Sequence, residues 1–101
     1  MATTPKALFR GAATVTLTTT LYTVPASTST IVTNIVVANT AASAATFDLS
    51  LDGVKIATLA AIAANSTVIL DLKQVLATTK IIAGGASATT VNFHISGAEI
   101  V

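Results

Sequence analysis

The chain has no cysteine and no tryptophan, and only 9% of its 101 residues are charged. Without cysteine there are no disulfides, thiol nucleophiles or thiolate metal sites. One tyrosine and three phenylalanines are a poor supply of the stacking platforms that single-stranded nucleic acid requires. The basic residues Lys6, Arg10, Lys55, Lys73 and Lys80 are spread too thinly to line a groove for a phosphate backbone, so no nucleic-acid partner is expected. No apolar run approaches the roughly 18 residues of a membrane span, and no membrane partner is expected. Lys6 and Arg10 also interrupt the N-terminal stretch before it reaches the apolar length of a secretory signal.

What remains is rich in threonine, valine, isoleucine and alanine, with 52% apolar residues and a formal net charge of +1. A chain of this length forms one domain and buries only about 60–65% of its unfolded surface. Much of the apolar content is alanine, so the core must rest on a limited set of large side chains, among them Phe47, Leu49, Leu51, Ile56, Leu59, Ile69, Leu70, Leu72, Phe93 and Ile95. So weakly charged a surface tends to associate, which implies that part of it is normally covered.

Met1 to Lys6 lacks periodicity and contains Pro5; residues 1–10 read as an N-terminal arm and residues 11–101 as a β-sandwich domain. Ala12 to Leu17 alternates small or polar residues with Val15 and Leu17, the pattern of a half-buried strand. Pro25 closes the extended run Leu21 to Val24. Thr30 to Ala38 is dense in β-branched residues and reads as the most buried strand. Phe47, Leu49 and Leu51 then alternate against Thr46, Asp48 and Ser50, which places Asp48 on the solvent side. The Asp52-Gly53 pair that follows predicts a type I′ hairpin turn. Ala60 to Asn65 reads as a loop, Ser66 to Leu72 as a strand, and Lys73 to Ala77 as a short helical turn or an edge segment. Gly84-Gly85 reads as a tight turn. Val91, Phe93 and Ile95 alternate against Asn92 and His94, and Gly97 divides this run from the apolar C-terminus. About eight short strands spaced near ten residues apart predict an all-β, two-sheet antiparallel β-sandwich, jelly-roll-like, with an immunoglobulin-like Greek key as the rival.

Little in this pattern suggests catalysis. His94 is the sole histidine and falls on the polar side of its strand, as a surface or interface residue does. Asp48, Asp52, Asp71 and Glu99 read as isolated solvated charges, not as a paired acid and base. No serine sits in a G-x-S-x-G elbow, and Gly84-Gly85 lacks the lysine and helix of a phosphate loop. No enzyme, cofactor or metal is expected. The candidate partner contacts are Lys6 and Arg10 near the N-terminus, His94, and the threonine row that includes Thr14 and Thr16. Such a row, like Thr28, Thr30 and Thr33, offers a flat face of small branched groups that loses little side-chain entropy on docking.

Leu21 to Pro25, Thr30 to Thr40, Phe47 to Gly53, Ile62 to Thr67 and Val91 to Ile100 together resemble a group of small tailed-bacteriophage structural proteins. The resemblance implies a virion component, made in the host cytoplasm, of the capsid decoration or cement type. Proteins of that type commonly form homotrimers outside the shell and clamp the major capsid protein, often through an N-terminal arm. A tail, neck or fibre component and a carbohydrate-binding module are the alternative readings.

Overall fold

The computed structural model describes residues 2–101. Eight strands follow one another: β1 (Thr3–Ala12), β2 (Thr19–Thr23), β3 (Ser29–Asn39), β4 (Ala45–Leu51), β5 (Val54–Ile62), β6 (Ser66–Leu76), β7 (Ile81–Ala86) and β8 (Val91–Ile100). They form two four-stranded antiparallel sheets, ordered β1-β8-β3-β6 and β2-β7-β4-β5. This is the two-sheet, jelly-roll-like sandwich that the strand spacing predicts. The body measures 46 × 21 × 18 Å, its length set by strands of ten or eleven residues at about 3.3 Å each.

The core lies between the sheets. Val32, Ile35, Val37, Val91, Phe93 and Ile95 come from one sheet and Phe47, Leu49, Leu51 and Ile82 from the other, all buried. Phe47 and Phe93 meet edge-on across the interface, their ring centroids 6.3 Å apart at 71°, a geometry favoured by the ring quadrupoles. The alternation at Phe47, Leu49 and Leu51 is therefore the inner face of β4. Asp52 and Gly53 both have positive φ, 54° and 74°, as a type I′ turn requires.

Several expectations are corrected. Residues 3–10 are not a free arm: they belong to β1, which pairs with β8 from Thr3↔Ile100 to Ala12↔Asn92. Met1, also assigned to that arm, lies outside the described residues. Pro5 is tolerated because β1 is an edge strand whose outer side needs no ladder donor, and Leu8 anchors it as a buried residue at a bulge. Of the run Ala12 to Leu17, expected as a strand, only Ala12 lies in one; residues 13–17 belong to the crossing from one sheet to the other, leaving Val15 exposed. β5 extends through Ile62 into the expected loop, and of the two readings of Lys73 to Ala77 the edge segment holds, since edge strand β6 continues to Leu76.

Gly84 and Gly85 do not turn the chain; they are buried within β7. A Cβ on Gly85 would lie 2.1 Å from the Thr16 carbonyl oxygen and 2.8 Å from that of Thr14. Glycine is needed there because backbone packs against backbone. Gly97 likewise sits inside β8 and does not divide it.

Candidate interaction surface

Alternation along each strand that buries Phe93, Ile95 and Ile35 turns their neighbours outward. Register then assembles a row across the outer face of the β1-β8-β3-β6 sheet: Arg10 opposite His94, His94 opposite Val36, and Val36 opposite Ile69. The next row is Ala7, Ser96, Asn34 and Asp71. The result is a face of mostly small or uncharged groups, with Arg10 and His94 at the β1 side and Asp71 and Lys73 at the β6 side.

The nominated contacts separate into three places. Arg10 and His94 are exposed cross-strand neighbours. Thr14 and Thr16 are exposed in the β1–β2 connection, where Thr14 Oγ1 donates to the Thr16 carbonyl at 3.0 Å and lies 2.6 Å from Thr19 Oγ1. Their hydroxyls shape that loop and do not form a flat strand face. Thr28 and Thr30 are buried and Thr33 exposed, so that row is not a common face either. Lys6 is drawn to Glu99, 3.3 Å away.

That last contact belongs to a polar cluster at one end of the sandwich interior. Tyr22 Oη donates to the Glu99 carboxylate and lies 2.9 Å from Thr30 Oγ1, a fully buried hydroxyl. The hydrogen bond from Tyr22, with the nearby Lys6 ammonium, holds the Glu99 carboxyl below its ordinary pKa, although burial opposes this. Burial first, and the bond to Glu99 second, push the Tyr22 phenol up. Four strands, β1, β2, β3 and β8, are tied together by these side chains.

Asp48 is the second departure from the expected solvated carboxylates. It points to the outer face of β4, yet only 2% of the residue is exposed. Lys55 Nζ lies 2.6 Å from Asp48 Oδ2, and the Leu59 backbone N–H donates to Oδ1 at 3.0 Å. These hydrogen bonds hold its pKa below the ordinary value, Lys55 having the larger effect. Leu59 has φ 47°, a left-handed conformation unusual for a branched side chain. Asp48 thus braces a kink in β5 where the pairing of β4 with β5 slips.

On the opposite flank, edge strands β5 and β6 do not close over the core. A groove of about 360 Å³ opens there, lined by Ile56, Ile69, Leu70, Asp71, Leu72 and Gln74. Ile56, Leu59 and Ile69, expected in the core, are all exposed, as is Val75. The alternation of Ser66 to Lys73 is the signal that turns Ile69 outward, and Val75 ends a run, Lys73 to Val75, that is exposed throughout; their oily character alone suggests the opposite.

Among the described residues, no group of three or more His, Cys, Asp or Glu is placed to hold a metal ion, and no helix is long and apolar enough to cross a membrane. Comparison with protein-family models finds no match, and comparison with curated proteins finds none either.

Proposed function

We propose that the protein is a non-enzymatic structural component of a tailed-bacteriophage particle, seated on the outer surface of the capsid and bound to the major capsid protein. The observation that carries this reading is the surface of the sandwich: a weakly charged sheet face, centred on Arg10, His94, Val36 and Ile69, that runs into exposed oily side chains on β6. Such surfaces mark places where another protein docks. The sequence resemblance supplies the identity of that protein.

The rigid framework suits a clamp. Two sheets locked by Phe47 and Phe93, and a polar cluster at one end, present the outer face without reorganisation, which lowers the entropy lost on docking. A carbohydrate module is less well supported, because Tyr22, Phe47 and Phe93 are buried and Phe9 packs against the core. No aromatic ring is left as an open platform for a sugar.

The test is sedimentation of the purified chain with and without undecorated capsids of the parent particle. It should travel with the shells, and Arg10→Glu combined with His94→Glu should release it while leaving its circular dichroism unchanged. Labelling of intact particles should cover the head. A signal confined to the tail, or absence of shell binding, would reject this placement.

A further inference from the structure

β1 is tied to the sandwich by few groups. Among the described edge strands it alone joins the fold through a single connection, residues 13–18, because β2, β5 and β6 each run between two other strands. Its one neighbour in the sheet is β8. Along β1 only Leu8 is buried, Phe9 and Gly11 are half-buried, and the rest is exposed. The Lys6 ammonium that reaches Glu99 is itself half exposed, and an ion pair so open to water contributes little.

The chain that follows β1 is fastened independently of it. The Ala13 N–H donates to the Val91 carbonyl at 2.7 Å, the Ala86 N–H donates to the Thr14 carbonyl at 2.9 Å, and the Thr14 and Thr16 carbonyls pack against Gly85. Ala13 is buried. The border between a removable strand and a fixed connection therefore falls at Gly11 and Ala12. Lifting β1 leaves the Phe47–Phe93 contact and those of Tyr22 with Glu99 and Thr30 in place, since none of these side chains belongs to it.

The β8 edge is cut to one shape. Ala7 pairs with Ser96 but Phe9 with Ile95, so the strand lying there must carry one more residue than β8 does. That residue is Leu8, and its side chain lies against Gly97, where a Cβ would come within 3.0 Å of Leu8 Cδ1. Two positions earlier, Lys6 meets Glu99. An edge with these demands fits a strand that has a bulge, an oily side chain at the bulge and a cation just before it. Residues 3–12 have all three.

We infer that β1 is an exchangeable strand: it leaves β8 as a unit while the other seven strands stay folded, and the vacated edge takes β1 of a second copy of this chain. Opening in such cooperative units is how folded proteins respond to uneven local stability. The traded strand restores each contact of the original, Arg10 opposite His94 included, which is why swapping an element between copies is a low-cost route to association. The exchange does not depend on what the assembled protein attaches to.

Two experiments on the full chain test this. In native-state hydrogen exchange the protected amides of β1 should share one protection factor, at least about tenfold below that of the central β3 amides. A gradient falling from Ala12 to Thr3 would mean fraying and not opening as a unit, and β1 amides that exchange at the β3 rate would mean no separate opening; either overturns the inference. For the trade itself, Ala7 and Ser96 are facing partners in β1 and β8, within disulfide reach of each other, and the chain lacks cysteine. Ala7→Cys and Ser96→Cys are therefore made as two separate chains of one thiol each, mixed in equal amounts in a glutathione redox buffer and left to equilibrate. The disulfide joining position 7 of one chain to position 96 of the other should exceed the two like-with-like disulfides together. A mixed product no greater than those two together is random pairing, and would reject the trade.

Discussion

At the β1–β2 flank a carboxylate is indoors, and at the β5–β6 flank isoleucine, leucine and valine are outdoors. Glu99 lies between the sheets with Tyr22, Thr30 and Lys6 as fixed partners. Ile69 and Val75, 64% and 71% exposed, have none. Burying a charge is tolerated when every lone pair has a donor, so the first flank is complete within one chain. The second flank leaves its oily side chains in water. Two carboxylates are drawn in from water, Glu99 at this end and Asp48 against β5, while the oily groups of Ile56, Leu59, Ile69 and Val75 stand outside.

Replacing Phe93 with alanine should affect both flanks together. The side chain is fully buried against Phe47, so the change should cost about 3–5 kcal/mol, read from urea unfolding of a dilute sample. A cost under about 1 kcal/mol would mean that the sheets are not joined through this pair.

The closed flank alone is broken by Glu99→Ala. Tyr22 loses its acceptor in a largely buried site and Lys6 its counter-ion, and the expected loss is about 1–3 kcal/mol. Tyr22→Phe should cost less, because the Glu99–Lys6 contact survives. If the two variants destabilise equally, the phenol and not the carboxylate organises the cluster.

Acid should act on the same groups. Glu99 and Asp48 have folded pKa values below their ordinary ones. Their contribution is therefore complete above the ordinary carboxylate range and is lost as pH falls through the lowered values. Tyr22 is raised, so its contribution is complete below the ordinary tyrosine range, near pH 10, and fades as pH rises through its higher folded value. Thermal melts from pH 2 to 11 should show a flat region bounded on both sides. In Glu99→Ala the acid limb should shrink to the part owed to Asp48, and an unchanged limb would contradict the assignment.

The smallest effect belongs to the open flank. Ile69→Lys should change the unfolding free energy of a dilute, monomeric sample by no more than about 0.5 kcal/mol, because the side chain already meets water. A loss comparable to that of Phe93→Ala would place Ile69 in the core and remove the contrast between the flanks.

The architecture was legible where side chains report directly on two faces. Phe47, Leu49 and Leu51, and then Val91, Phe93 and Ile95, announce strands with one buried side, and Asp52-Gly53 announces its own turn. Elements whose cause is remote in the chain were not legible. β1 reads as an arm because an edge strand that is wet along most of its length shows no alternation. Gly84 and Gly85 read as a turn because only the folded chain brings the Thr14 and Thr16 carbonyls beside them. Asp48 reads as solvated because its burial depends on Lys55 and on a kink in the neighbouring strand. The surface was partly legible: Arg10 and His94 could each be nominated, but only the register makes them neighbours. Ile69 was read by its chemistry when its position in the alternation carried the information.

The Asp52-Gly53 tip has a practical consequence. A Cβ on Gly53 would meet nothing within 4 Å, and this exposed tip is held at its base, where the Asp52 N–H donates to the Ile81 carbonyl and the carboxylate lies near Lys80. Exposed tips of this kind accept inserted sequence well. A short antigenic peptide or a fluorescent tag spliced there would be displayed outward, with one cargo for every copy of the protein.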